Sequence, residues 1–180
     1  MRLCVFGAAS TNIDGKYIEL VEAMSYELAK KGNNLVFGAG GTGLMGAAAR
    51  GFKAGNAHIL GVIPTFFRDE KHVIEPIFEG CDDIIYTETM RERKAIMEDN
   101  AEAFIIVPGG IGTFEEFFEI LTLKELCRHN KKIVIFNIDG YYDAMLRLLN
   151  ESTNKGFVSK NVESSYNVFD NVEDIVKYFS

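Results

Sequence analysis

Two short stretches of this chain carry residues that could do chemistry on an anionic ligand. Residues 107–116, VPGGIGTFEE, place three glycines, a threonine and two adjacent glutamates directly after an apolar run. Residues 87–97, TETMRERKAIM, place Arg93 between Met90 and Met97 at helical spacing. Glycine-rich backbone at the start of a helix can hold an anion through its amides. A nearby carboxylate can stabilise a developing positive charge or orient an attacking water.

Glu116 also has a purely structural interpretation. Thr113 stands where the N-cap of a helix belongs, and Glu116 follows three residues later, which is the pattern of a capping box.

Arg93 argues against a purely structural role for these residues. We expect the two methionines to face inward, so an arginine between them must be paired, reach the surface or point into a site, because burying an unpaired charge is costly. Arg91 and Glu92 are expected on a solvated, salt-bridged face.

A second glycine-rich stretch, residues 37–46 with the sequence FGAGGTGLMG, also follows a predicted strand and opens a predicted helix. It satisfies the G-x-G-x-x-G spacing of dinucleotide-binding folds. That fingerprint also needs an acid at the end of the next strand, and residues 62–65 read VIPT instead. A nicotinamide-dependent oxidoreductase is therefore disfavoured. We predict an anion site with exposed helix amides, to which Gly40, Thr42 and Gly43 contribute.

The elements that must position these residues alternate along the chain. Predicted strands cover residues 3–6, 35–37, 59–63, 84–86, 104–107, 133–136 and 166–169. Predicted helices cover residues 17–30, 44–54, 90–100, 114–128, 142–151 and 172–179. This alternation favours an α/β fold: one Rossmann-like domain over residues 1–180, with an open parallel sheet and helices on both faces. Residues 64–83 interrupt the rhythm and predict an irregular loop with a short helix.

Composition narrows the functional class. The 180 residues carry a net charge of −7, which disfavours general nucleic-acid or membrane-surface binding. Three cysteines and three histidines are scattered without metal-ligand spacing, so we expect free thiols and no metal site. The sequence shows no leader pattern and no apolar run of membrane-spanning length, which favours a cytoplasmic protein.

These motifs together resemble the LOG family, the phosphoribohydrolases once labelled lysine decarboxylases. The resemblance rests on P-G-G-x-G-T-x-x-E at residues 108–116, the Arg93-Lys94 pair, the glycines of residues 38–46, and the GVIP and GYYDAML segments at 61–64 and 140–146. It covers nearly the whole chain. Nothing in the sequence indicates a pyridoxal site, so the decarboxylase label does not fit the chemistry.

The resemblance implies a homodimeric enzyme that needs no cofactor. It would cleave the N-glycosidic bond of an adenosine 5′-monophosphate, typically N6-substituted, to give the free base and ribose 5-phosphate. Arg93 and Glu116 match the family's catalytic pair. The family's substrate-binding positions fall on Lys94, Gly109, Gly110, Ile111, Gly112, Thr113, Glu115, Thr122 and Glu75. Arg93 could anchor the ribose or phosphate, orient Glu116, or stabilise the departing base.

Three departures from the family pattern are visible. Arg91 stands where a histidine is common, Ala39 replaces a usual glycine, and Phe66-Phe67 is unusual in its loop. The first two leave the chemistry intact, whereas the third bears on base preference. Phe66 and Phe67, with Tyr141 and Tyr142, are expected to line a partner surface or a base pocket. The main alternative is a non-catalytic nucleotide or cofactor carrier of the same fold, such as a molybdopterin carrier, which would not need Arg93 and Glu116 together.

Overall fold

The computed structural model describes residues 1–69 and 76–180, with only the backbone for residues 68 and 69. Within these residues, seven strands form one parallel sheet in the order β4-β3-β2-β1-β5-β6-β7. The strands are β1 Arg2–Phe6, β2 Asn34–Phe37, β3 Ile59–Pro64, β4 Asp83–Thr87, β5 Ala103–Ile106, β6 Lys132–Phe136 and β7 Asn167–Phe169. The helices are α1 Gly15–Lys30, α2 Gly43–Ala54, α3 Phe66–Asp69, α4 Met90–Asn100, α5 Ile111–Glu125, α6 Asp143–Asn154 and α7 Val172–Tyr178. The predicted Rossmann-like α/β fold is confirmed.

The central strands are apolar throughout because both faces of the sheet are covered. On β1, Leu3 and Val5 pack into the core that α1, α2 and α7 close, whereas Cys4 and Phe6 pack into the opposite core under α4, α5 and α6. Strands β5 and β6 divide between the two cores in the same alternating way. None of the helices in the described ranges is long and apolar enough to span a bilayer.

The order of the strands creates a crevice beside β1. The chain runs outward from β1 to β4 and then returns to place β5 on the other side of β1. The connections after β1 and β5 therefore diverge at the carboxyl edge of the sheet, which is where open α/β sheets bind ligands. Both glycine-rich stretches lie at this edge, since they follow β2 and β5, the two strands that flank β1.

The start of α5 differs from the sequence prediction. The helix begins at Ile111, with Gly110 as its N-cap, so Thr113 is its third residue and is buried. The predicted capping box at Thr113 and Glu116 is therefore wrong. Helix α5 also ends early, at Glu125, because Cys127 adopts a left-handed φ of 55° just beyond it.

The capping box forms instead at the start of α4. The Thr89 hydroxyl accepts the Glu92 backbone N–H, and the Glu92 carboxylate accepts the Thr89 backbone N–H. Glu92 is thus a cap as well as an exposed residue. Met90 is 38% exposed, so the prediction that it faces inward is wrong, whereas Met97 is fully buried. Met90 is the first residue of the helix, where little of the chain covers it.

The aromatic residues singled out in the sequence divide between surface and core. Phe66 and Phe67 stack on each other in the short α3, which confirms a short helix between residues 64 and 83. Tyr142 is almost fully buried beneath Phe114, so the prediction that it lines a surface or pocket is wrong. Tyr141 is 44% exposed.

Candidate active site

A cleft of about 370 Å³ lies at the carboxyl edge where β1, β2 and β5 end. Its floor is the loop after β1, residues 7–10, together with residues 38–40 after β2. Helix α4 contributes Arg93 and Met97, four residues apart and therefore on one face. Helix α5 contributes its first turn and Glu116. The cleft thus lies at the crevice that the strand order creates.

Arg93 and Glu116 form a pair inside this cleft. Arg93 Nη1 lies 3.6 Å from Glu116 Oε1, and the two side chains are only 15% and 12% exposed. Arg93 Nε also donates to the Val62 carbonyl oxygen at 3.2 Å, which fixes the guanidinium from the side of β3. The guanidinium is therefore held at two points. Its position next to the carboxylate fits the predicted role of orienting Glu116.

Burial raises the pKa of Glu116 to about 7, although the Arg93 guanidinium acts in the opposite direction. The neighbouring Glu115 carboxylate adds to the increase. A carboxyl group that titrates near neutrality can both hold and release a proton under ordinary conditions. Such a group is suited to acid–base work on a bound ligand.

Gly38 makes room for the Arg93 side chain. A Cβ at Gly38 would lie 1.6 Å from Arg93 Nη2, so any side chain there would displace the guanidinium. The sequence pattern associates this glycine with phosphate binding. In the folded chain it instead allows Arg93 to approach the backbone after β2 and reach Glu116.

Lys94 and Glu115 form a second link between α4 and α5. Lys94 Nζ pairs with the Glu115 carboxylate and lies 2.6 Å from Glu119 Oε2. Burial alone would lower the pKa of Lys94, but the hydrogen bonds to the two carboxylates outweigh it and raise that pKa. Neither Lys94 nor Glu115 lines the cleft. Their role in substrate binding stays a prediction, and their observed contacts join the two helices that carry the catalytic candidates.

The N-terminus of α5 opens into the cleft. Within residues 1–69 and 76–180, the backbone N–H groups of Ile111, Gly112 and Thr113 have no hydrogen-bond acceptor. Gly110, the N-cap, has no side chain to satisfy them. Gly109 lacks a Cβ where Thr113 packs, since a Cβ there would lie 2.1 Å from Thr113 Oγ1. Free amides at the positive end of a helix form a ready anion site.

At the N-terminus of α2, by contrast, two of the first three amides are bonded within the chain. The backbone N–H groups of Leu44 and Met45 both donate to the Ala8 carbonyl oxygen, at 2.8 and 3.3 Å. The prediction of exposed helix amides after β2 is therefore wrong for these two groups. The Thr42 hydroxyl donates to the Ala9 carbonyl oxygen at 2.7 Å. The loop after β1 occupies the place that an anion would take.

The remaining predicted residues lie in different places. Gly40 lines the cleft, whereas Thr42 and Gly43 are packed under the loop after β1. Thr122 is exposed on α5, about 13 Å along the helix axis from Thr113 at 1.5 Å per residue. Glu75 lies outside the described residues. Substrate binding by all of these residues stays a prediction.

Sequence reasoning missed part of the floor of the cleft. Residues 7–10, with the sequence GAAS, follow the first strand and consist only of small residues. Their position at the carboxyl end of a central strand was the available signal. Phe67 and Met97 also line the cleft and give it an apolar side.

Comparisons with known proteins show the family to which the chain belongs. The family model described as "Possible lysine decarboxylase" matches residues 45–179. Cytokinin riboside 5′-monophosphate phosphoribohydrolase LOG2 of Arabidopsis thaliana is 37% identical, over 88% of this chain and 72% of its own length. This chain belongs to the LOG family. A further member, probable cytokinin riboside 5′-monophosphate phosphoribohydrolase LOGL3 of Oryza sativa subsp. japonica, is 32% identical over 98% of this chain and 85% of its own length.

The fold of this LOG family member extends to proteins with other roles. A molybdenum cofactor carrier protein from Chlamydomonas reinhardtii matches with a TM-score of 0.72, over 98% of this chain and 94% of its own. Its sequence identity is 18%, so this likeness concerns the fold alone.

Ala39 departs from the LOG pattern at a position where the backbone conformation favours glycine. It adopts a left-handed φ of 62°, which favours the glycine usual at this position.

Proposed function

We propose that this protein hydrolyses the N-glycosidic bond of adenosine 5′-monophosphates, either AMP or an N6-substituted derivative, and releases the free base and ribose 5-phosphate. The observation that carries this proposal is the buried Arg93–Glu116 pair, which lies in the same cleft as the open N-terminus of α5. The names of the curated relatives support the same reaction class.

The first step of the proposed mechanism is capture of the 5′-phosphate. The free amides of Ile111, Gly112 and Thr113 would donate to the phosphate oxygens, and the helix dipole would add to the attraction. Because Glu116 lies one turn further along α5, an anchored phosphate places the ribose beside its carboxylate. Binding energy from the phosphate thereby positions the reacting carbon.

In the second step the bond between ribose C1′ and the base nitrogen breaks, and a bond from C1′ to a water oxygen forms. The ribose gains positive charge as the base leaves with the bonding electrons. The Glu116 carboxylate would stabilise that charge and accept a proton from the attacking water, and a proton from solvent would neutralise the departing base, so that the free base is released. Arg93 would keep the carboxylate in place and favour its ionised form. Phe67 and Met97 offer an apolar surface for the purine.

A nucleotide or cofactor carrier of the same fold is the alternative. A carrier needs an anion site but has no use for a buried carboxylate that titrates near neutrality. Glu116 would be costly to bury without a chemical role, since charging it in this cleft is opposed by desolvation. The Arg93–Glu116 pair therefore favours the enzyme.

The deciding experiment is incubation of the protein with AMP, an N6-substituted AMP and adenosine, followed by chromatography of the products. We expect free base and ribose 5-phosphate from the monophosphates and little cleavage of adenosine, because adenosine lacks the phosphate anchor. Intact monophosphates, bound but not cleaved, would support a carrier. Equal cleavage of adenosine and AMP would contradict the assignment of α5 as the phosphate site.

We also propose a homodimer in the cytoplasm. Large apolar side chains are exposed at Ile111, Leu126, Leu148 and Phe157, and a partner copy could cover some of them. The three cysteines are free thiols, as is usual in a reducing compartment. Light scattering at micromolar concentration tests the dimer, and a monomeric mass would contradict it.

A further inference from the structure

Four consecutive carbonyl groups precede the open N-terminus of α5, and each accepts a hydrogen bond from a different donor. The bonds are Tyr142 Oη to Val107 O at 2.8 Å, Ala8 N to Pro108 O at 3.1 Å, Tyr141 Oη to Gly109 O at 2.6 Å and Phe114 N to Gly110 O at 3.0 Å. Every carbonyl of this segment, residues 107–110, therefore accepts a hydrogen bond, whereas the next three amides have no acceptor in the part of the chain that the structure describes.

The two side-chain donors are neighbours in the loop after β6. Tyr142 is 1% exposed, and burial raises the pKa of its phenol, so its hydroxyl stays protonated and can donate. Tyr141 packs edge-on against Tyr142, with ring centroids 4.9 Å apart. Together they reach the segment at Val107 and Gly109, on either side of Pro108.

This segment contains two glycines, whose backbone is free to adopt many conformations. Fixing a carbonyl also fixes the direction of the amide in the same peptide unit, because the peptide group is planar. The Val107 carbonyl belongs to the peptide unit that joins Val107 to Pro108, which has no N–H, and the Gly109 carbonyl belongs to the unit that carries the Gly110 N–H, one residue before Ile111. The tyrosine hydroxyls therefore limit the orientations that this loop can adopt before the first free amide of α5.

We propose that Tyr141 and Tyr142 are positioning residues for the phosphate site, and that their hydroxyls hold residues 107–110 so that the amides of Ile111, Gly112 and Thr113 converge on the 5′-phosphate. This inference rests on the proposed function. It assigns the paired tyrosines of the GYY segment to substrate binding through the loop, without contact with the ligand.

The test is the set Tyr141→Phe, Tyr142→Phe and the double variant, because phenylalanine keeps the ring and removes only the hydroxyl. Loss of one or two hydrogen bonds that orient the site should raise the KM for AMP by about threefold to tenfold. The dissociation constant for ribose 5-phosphate, measured by calorimetry, should rise by the same factor. The kcat should stay within about twofold, because Glu116 and Arg93 are unchanged.

Tyr178→Phe is the matched control, since the Tyr178 hydroxyl donates to Asn167 Oδ1 at 2.9 Å on the surface. It should leave KM and ribose 5-phosphate binding unchanged. A purely structural role for Tyr141 and Tyr142 would lower the melting temperature without raising KM, and that result would overturn the inference. If the buried Tyr142→Phe fails to fold, Tyr141→Phe decides alone, because Tyr141 is half-exposed.

Failure of the proposed function gives a different result. In that case the wild-type protein would not cleave AMP, whatever the tyrosine variants do. An active wild type with unchanged KM and ribose 5-phosphate affinity in the folded double variant would overturn the tyrosine inference alone.

Discussion

Helices α2 and α5 both begin after a glycine-rich loop at the carboxyl edge of the sheet, one on each side of β1. Ala8, in the loop after β1, contacts both. Its carbonyl oxygen accepts the amides of Leu44 and Met45, the second and third residues of α2, while its own amide donates to the Pro108 carbonyl oxygen before α5. One residue therefore occupies two amides at the first helix N-terminus and fixes the approach to the second, where three amides stay without acceptors among the described residues.

This difference teaches that a glycine-rich loop before a helix has two distinct uses. After β2, the glycines allow close packing: Gly38 accommodates Arg93, and Gly43 adopts a left-handed φ of 56° against the loop after β1. After β5, the loop leaves three amides without acceptors among the described residues and puts Glu116 within a helical turn of them. Only the second arrangement can bind a phosphate through several helix amides at once.

The largest expected effect comes from Glu116→Gln, which keeps the shape of the side chain and removes its charge. We expect the kcat for AMP cleavage to fall at least about a hundredfold, because loss of a group that stabilises the transition state typically costs a few kcal/mol. The melting temperature and ribose 5-phosphate affinity should change little. Glu125→Gln, at the exposed end of the same helix, is the control and should retain activity.

The dependence of the rate on pH gives a second test of Glu116. Its pKa is raised to about 7, so the carboxyl is mostly protonated below neutrality and ionised above. If the ionised carboxylate is the active form, kcat/KM of the wild type should rise with pH through a midpoint near 7 and then level off. The same step should be missing from the residual activity of Glu116→Gln. An unchanged step in that variant would assign the titration to another group.

A smaller effect is expected from Ile111→Pro, which removes one of the free amides of α5. Proline suits the first position of a helix, and the extended Gly110 before it is compatible with proline. Loss of one charge-assisted hydrogen bond should raise the KM for AMP by about tenfold or more. Ile111→Ala keeps the amide and separates its effect from that of the side chain. Equal KM values for the two variants would exclude this amide from phosphate binding.

The smallest effect is expected at the closed helix. Thr42→Val removes the hydroxyl that donates to the Ala9 carbonyl oxygen and should lower the free energy of unfolding by about 1 kcal/mol. KM for AMP should not change, because this end of α2 is occupied by the chain itself. Urea denaturation and steady-state kinetics measure the two quantities, and Thr42→Ser is the matched control. A raised KM with unchanged stability would mean that both helix N-termini bind substrate.

Much of this arrangement could be predicted from the sequence because it depends on local patterns. The alternation of apolar runs with segments of helical spacing predicted the parallel sheet. The spacing of Arg93 and Met97 predicted that both lie on one face of α4. That Glu116 lies near Arg93 could be predicted only from the resemblance to the LOG family, because the two residues are on separate helices.

The predictions that were wrong depended on contacts between residues that are distant in the sequence or on where a helix begins. Whether the amides of α2 are free depends on Ala8, which is distant in the sequence and has no side chain that signals a cap. Thr113 and Glu116 satisfy the spacing of a capping box, but α5 begins two residues before Thr113, and Glu116 pairs with Arg93 instead. Tyr142 likewise is buried and donates to the Val107 carbonyl oxygen, 35 residues away in the sequence, and local patterns do not predict such a contact.

Amide hydrogen exchange, resolved by residue with and without ribose 5-phosphate, tests the contrast between the two helix N-termini most directly. In the free protein, the amides of Leu44 and Met45 should be protected and those of Ile111, Gly112 and Thr113 should exchange readily. Saturating ribose 5-phosphate should protect the three amides of α5 and leave the two of α2 unchanged. Bound ribose 5-phosphate that leaves the α5 amides unprotected would contradict their assignment as the phosphate site.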